Sequence, residues 1–412
     1  MGHYQQIINT AKQALTRTFI EPWLCRKKRW LYFSTLLANI GLSMLTLFLT
    51  FDIAGLGLYP LLCYFLMVFS FGYGFILPCC FLLLGIIGFK KLFALLITSQ
   101  GMMLCIFLYL ENYPFWFVGL FQIMLNNAFI MAYHVSMMLH TSDSNRGSEV
   151  ALGEAGLTSG SVIGSFAGGM ALAFSDKYFV LLFASLIVPL ATASIMLALI
   201  KHERELGKKG DSCFKSDHSL KSCLDELRKN PANSYATMAE GCFNAATFIT
   251  MPVWLKILGV SGLAVGTISA LRVILQLLLA PFLGALVDRD NGNEVKFGAI
   301  LNFIGWIPWL FIQSPVLLLY SLIFWTSGNY LYASGLICRW YESRTLASMA
   351  AREVLLGVGR TVVLIIVTPL MFFSLQSFIS AAIFISGVMI LNGCIFSRSC
   401  VKLSLLTSHK TL

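Results

Sequence analysis

Glu149-Val150-Ala151-Leu152-Gly153 and Glu353-Val354-Leu355-Leu356-Gly357 are nearly one pentapeptide written twice, 204 residues apart. The same offset relates Ser43 to Thr247, Thr46 to Thr250 and Gly88 to Gly292, and Pro78 and Pro281 differ by 203. One such match would be chance. Several in register point to a duplicated chain, and in membrane proteins built from repeats the solute site lies near the bilayer midplane, where the halves meet.

Outward from these pentapeptides, apolar runs recur at near-regular intervals. The expected spans are 31–54, 59–86, 91–110, 115–139, 150–174 and 178–200 in the first copy, and 236–257, 262–286, 296–313, 315–337, 350–372 and 376–396 in the second. Each is close to the roughly 20 residues that cross a bilayer. The fold class read from this is an all-α membrane protein: twelve transmembrane helices in two pseudo-symmetric six-helix bundles. The N-terminal bundle is 30–200 and the C-terminal bundle 236–398. Residues 201–235 form a solvated linker of eight basic and six acidic residues, with a short helix expected at 220–227. Of the 29 Lys and Arg, Lys177 and Lys256 fall at one set of span ends, Arg272 and Arg360 fall within spans, and the other 25 fall on the opposite side. Basic residues accumulate on the cytoplasmic side, so both termini are expected there.

Composition agrees. The 412 residues are 58% hydrophobic and 12% charged, with a mean hydropathy of +0.79. An ordinary soluble domain carries about twice that charge, so a soluble enzyme, a disordered chain and a secreted disulfide scaffold are excluded. The net charge of +10 reads as cytoplasmic loops rather than as a nucleic-acid surface. The 11 cysteines lack metal or disulfide spacing and behave as small hydrophobes within apolar runs. Residues 1–29 place Tyr4, Ile8, Ala11 and Leu15 on one helical face beside the basic run Arg26–Arg29. That suits an amphipathic segment on anionic lipid or, equally, a solvated tail, and 399–412 reads as a cytoplasmic tail. No P-loop, HExxH or GxSxG motif occurs, so direct ATP drive and hydrolysis are not expected.

Gly284-Ala-Leu-Val-Asp288-Arg289, followed by Gly292, resembles the loop signature GxxxDRxG of the major facilitator superfamily, one residue longer before its last Gly. In the first half only Gly88 and Lys90–Lys91 remain of the equivalent loop. Gly160-Ser-Val-Ile-Gly164-Ser-Phe-Ala-Gly168-Gly169 resembles the antiporter signature of the fifth helix, with Ser165 in place of Pro. The family's fourth-helix Arg signature is absent. The resemblance covers about residues 30–398. It implies a gating role for Asp288 and Arg289, with Asp288 latched to the start of the fifth span near Arg146. Gly156, Gly160, Gly164 and Gly168 recur every four residues and form a side-chain-free face; the resemblance implies that it slides against the eighth span, with static small-residue packing as the alternative.

Polar stripes mark four spans. Asn39, Ser43, Thr46 and Thr50 share a face of the first; Gln122, Asn126, Asn127 and His134 lie on the fourth; Thr237, Glu240, Asn244 and Thr247 on the seventh; Trp325, Asn329 and Tyr332 on the tenth. The resemblance assigns these spans to the cavity wall, while periodicity alone leaves interhelical hydrogen bonding as an alternative. Arg272 and Arg360 each sit ten residues from a span end, roughly 15 Å deep, where Arg suits a carboxylate or phosphate. Buried structural pairing with Glu240, Glu353 or Glu154 is the alternative. The expected solute-binding residues are therefore Asn39, Ser43, Asn126, Asn127, His134, Asn244, Arg272, Trp325, Asn329, Tyr332 and Arg360. Glu240, then Glu154 and His134, are the expected proton-coupling residues, because intramembrane ionisable groups are costly without a function. Arg352 and Glu353 are expected to be structural.

The function expected is secondary active transport of a small organic solute, anionic or zwitterionic, by alternating access coupled to protons. Efflux of amphiphilic cations, and a receptor or scaffold that moves no solute, are the alternatives. The expected partners are the solute, protons and the lipid bilayer, with no nucleic acid, no cofactor and no metal. The expected setting is a monomer in a bacterial cytoplasmic (inner) membrane.

Overall fold

A computed structural model describes residues 26–408 apart from 110–114, 142–145, 175–176, 208–218, 258, 260, 290–292 and 311–314. The described residues are helical and contain no strand. In a bilayer every backbone N–H and C=O must be bonded internally, and a continuous helix does this within one segment. The long helices are α1 (Arg26–Leu56), α2 (Leu58–Phe65) continued by a π-helical stretch (Leu66–Ile76), α3 (Leu77–Tyr109), α4 (Phe115–His140), α5 (Arg146–Phe174) and α6 (Lys177–Gly207). After α7 (Leu220–Lys229) come α8 (Pro231–Ile257), α9 (Gly262–Arg289), α10 (Asn293–Trp306), α11 (Pro315–Glu342), α12 (Leu346–Val362) and α13 (Leu375–Ser408). A π-helical turn (Val363–Val367) and a 3₁₀ turn (Thr368–Phe372) extend α12. Each of the twelve expected spans overlaps one of these helical segments. Seven stretches of the described residues are long and apolar enough to cross a membrane, and large apolar side chains such as Leu190, Ile366 and Phe384 stand exposed around the outside.

Punctuation is local. Gly88, at φ 77° and ψ 166°, breaks α3 into two helices, so the expected loop between the second and third spans shrinks to one residue that a side chain would strain. Thr345 caps α12 by accepting a hydrogen bond from Ser348 N at 3.1 Å. Ser219 does the same for α7 through Ser222 N at 3.1 Å. The linker helix runs to Lys229, two residues past expectation, and packs against α12. Its Cys223 is buried, which pushes the thiol pKa up, and Ser234 Oγ donates to Leu227 O at 2.9 Å. The basic run is helical from Arg26, and α13 continues through Ser408 into the expected tail. The expected amphipathic segment up to residue 25 lies outside the described residues.

Helices meet through glycine seams, which let backbones approach where lipid supplies no hydrophobic drive. On α5, a Cβ at Gly160, Gly164 or Gly168 would collide with the α1 backbone, at Leu36 O, Ile40 O and Met44 O respectively. The same device joins α8 and α12, where a Cβ on Gly359 would strike Met238 O and one on Gly241 would strike Leu356 O. Between the halves, a Cβ on Gly169 would lie 2.7 Å from Gly266 Cα, and one on Gly74 would lie 2.8 Å from Gly357 Cα. This corrects the expectation for Gly160, Gly164 and Gly168. They hold α1 inside their own half, and it is Gly169, with the Ser165 carbonyl, that meets α9. A helix has several faces, and the four-residue repeat of glycines does not say which neighbour it will face.

Candidate functional site

A cavity of about 500 Å³ lies between the halves, lined from α1, α4, α5, α8, α9, α11 and α12 and by Tyr73 of the π-helical stretch. It is long: along α1 alone it runs from Asn39 to Phe51, roughly 18 Å at the helical rise. Of the expected residues, Asn39, Ser43, Asn126, His134, Glu154, Glu240, Asn244, Arg272, Asn329 and Arg360 all line it.

Three expected solute-binding residues are elsewhere. Asn127 is 1% exposed and donates to Gly72 O at 3.1 Å. Tyr332 is buried and donates from its hydroxyl to Ala236 O at 2.9 Å. Trp325 is buried in an aromatic cluster, stacked on Trp309 with ring centroids 4.9 Å apart and tilted against Trp306 at 4.5 Å. These side chains hold helices together, and helical period alone cannot separate that duty from cavity lining. Asp288 and Arg289 end α9, but their side chains lie outside the described residues.

Apart from Glu154, the first-half wall is neutral and bonded to itself. Asn39 Nδ2 donates to Ser161 Oγ at 2.6 Å and to Leu157 O, and Ser43 Oγ donates to Ser161 Oγ at 2.9 Å. Gln122 Nε2 donates to Thr46 Oγ1 at 2.8 Å while accepting from Tyr64.

The charges sit at two depths. At the linker end, α12 and α8 bring Arg352 to 2.5 Å from Glu353 and 3.5 Å from Glu240, all three groups nearly water-free. Opposite them Glu154 on α5 accepts from Tyr133 Oη at 3.3 Å, with no cation against it among the described residues. The halves also join here through His134 Nδ1 and Tyr341 Oη, 2.7 Å apart. About 12 Å further along α12, at eight residues of helical rise, Arg360 lies over the Tyr73 ring at 5.0 Å, and its Nη1 has no hydrogen-bond partner. Arg272 on α9 faces the same space with Ser269 and Gln276 beside it. The described residues offer its guanidinium no carboxylate. Arg352 and Glu353 form the buried ion pair that a structural role implies, and they also border the cavity. The missed signal is that Glu240 and Arg352 are both charged within a few residues of the same membrane end.

A profile described as Major Facilitator Superfamily matches residues 31–338. The chain belongs to this superfamily. Solved structures agree in fold. The human organic anion transporter MFSD10 (TETRAN) superposes with a TM-score of 0.66 at 12% identity, covering 89% of this chain and 99% of that one. The Escherichia coli fucose:proton symporter FucP gives 0.61 at 14% identity, covering 93% and 99%. A bacterial homologue of the iron transporter ferroportin, in its outward-facing state, gives 0.62 at 13% identity, covering 92% and 99%. Comparison with curated proteins found no match. This superfamily member is therefore an integral multi-pass membrane protein with the fold of transporters.

Proposed function

We propose that this superfamily member carries a small organic anion or zwitterion by alternating access, coupled to protons. The observation that carries the reading is Arg272: an intramembrane guanidinium on the cavity wall with no carboxylate against it among the described residues. Arg272 is half-buried, an intramembrane charge without a partner is costly, and a carboxylate or phosphate entering the cavity would supply both the missing charge and bidentate bonds. Arg360, with one nitrogen unbonded, faces the same depth. The anion transporter and the sugar:proton symporter among its structural neighbours are compatible with this.

On the positive-inside asymmetry we take the linker and both termini to be cytoplasmic. The His134–Tyr341 contact then joins the halves on the cytoplasmic side. Asp288 and Arg289, at the same end of α9, are proposed as gating residues acting on the start of α5. The protein is taken to act as a monomer in a bacterial inner membrane.

A second reading, efflux of amphiphilic cations, is favoured by one feature, the Glu154 carboxylate, against which the described residues set no cation. Both are tested on purified protein by a thermal-shift panel of carboxylates, phosphates and organic cations, followed by uptake of each hit into proteoliposomes with and without a pH gradient. Stabilisation by an anion that Arg272→Ala abolishes supports the first reading. Stabilisation by cations only, unaffected by that substitution, overturns it.

A further inference from the structure

We infer that Glu154 is the carboxyl group that takes up and releases the coupled proton, and that Arg352 is the positioning residue that reserves this role for it by holding Glu240 and Glu353 as ion pairs. This rests on the transport reading above and goes beyond it in choosing among three carboxylates that line one cavity.

A proton carrier must reach water and must be tolerable in both its charged and neutral forms. Glu240 and Glu353 border the cavity but meet these conditions less well. They are 3% and 2% exposed, and both contact the buried Arg352 guanidinium. Protonating either would strip a buried cation of part of its neutralising charge. Glu154 is half-buried on the cavity wall. Its one polar contact among the described residues, the Tyr133 hydroxyl at 3.3 Å, can donate to a carboxylate and equally to the carbonyl oxygen of the protonated acid. Uptake is then a simple transfer: hydronium gives its proton to a Glu154 carboxylate oxygen and leaves water, and release reverses the step on the other side of the membrane.

The surroundings of Glu154 connect that proton to the opposite half. From α4 it faces Tyr133; from α11, Tyr330 and Tyr341; from α8, Glu240; and from α12, Arg352. Arg272 on α9 lies about 13 Å away along the axis, judged from helical rise on either side of the Gly169–Gly266 contact. A charged Glu154 attracts Arg352 across the gap between halves, and a neutral one does not, so protonation changes how strongly the halves hold at this end. His134 is a poorer carrier, since its Nδ1 is engaged by Tyr341.

The test needs no solute. Infrared pH-difference spectra of the full chain in lipid nanodiscs are recorded for wild type, Glu154→Gln, Glu240→Gln, Arg352→Lys and Arg352→Gln. The expected result is a carboxylic-acid C=O band that titrates in wild type, vanishes in Glu154→Gln, persists in Glu240→Gln and remains single in Arg352→Lys. Arg352→Gln should add a second titrating band as Glu240 and Glu353 lose their cation, an effect that loss of stability alone does not produce. Persistence of the wild-type band in Glu154→Gln, or its loss in Glu240→Gln, overturns the assignment of the proton site. A single unchanged band in a monodisperse Arg352→Gln protein overturns the positioning role, and if that variant does not fold, a second band in Arg352→Lys does the same. Because these spectra do not depend on flux, a failure of the transport reading leaves them unchanged.

Discussion

The two halves of this protein share a seam design and differ in charge. In each, glycines on one helix receive the backbone of another: α5 against α1, and α12 against α8. Of the six Glu and Arg side chains lining the cavity, however, only Glu154 comes from the first half, while Glu240, Arg272, Arg352, Glu353 and Arg360 come from the second. The first half meets the cavity with neutral groups that bond each other, Asn39 and Ser43 to Ser161 and Gln122 to Thr46. The packing surfaces of the two halves are alike and tolerate no side chain, while their cavity-facing positions differ in charge.

The largest test of that contrast is Arg272→Ala. It should lower uptake of an anionic solute in proteoliposomes by at least about a hundredfold, consistent with loss of a charge-assisted bidentate contact of about 3 kcal/mol, with membrane insertion unchanged by size-exclusion profile. Loss of one neutral first-half contact, as in Asn39→Ala, should reduce uptake far less. Next is Arg352→Met, which leaves Glu240 and Glu353 buried without a cation. Breaking a buried pair costs about 3–5 kcal/mol, so thermal unfolding in detergent should fall by many degrees, whereas Glu154→Gln should shift it little.

The seams sharpen the comparison further. Gly164→Val should impair assembly of the first half, read as loss of folded protein at constant expression. Gly169→Ala, at the contact between halves, should leave more folded protein and slow transport more than it lowers yield. The smallest expected effect is Tyr341→Phe. Removing its bond to His134 costs about 1 kcal/mol, which should shift the balance of conformations about fivefold, read as increased labelling of a cysteine placed at the linker end of the cavity.

Much of this was legible in the chain itself. Each of the twelve hydrophobic runs overlaps a helical segment of the described residues, because burial in lipid makes both hydropathy and helical hydrogen bonding local properties. Ten of the expected cavity residues line one cavity, because polar stripes at helical spacing survive in an apolar span only where a polar surface awaits them. Asn127, Tyr332 and Trp325 show the limit. Each is polar or aromatic on the expected helix, yet each is turned into helix–helix contacts, and one or two positions around a helix separate those surfaces. Gly160, Gly164 and Gly168 show it again, since a groove in one helix does not name the helix that fills it.

What the sequence determined alone was class, helix count by hydropathy, and the presence of costly intramembrane charges. These follow from composition and period, which are sums over neighbours in the chain. What only the tertiary structure decided was how those charges are matched. Arg352 takes Glu240 and Glu353, Glu154 faces them without a cation, and Arg272 meets no carboxylate among the described residues. Coulomb energy depends on distances between residues as much as 112 positions apart, such as Glu240 and Arg352, and only packing sets those distances.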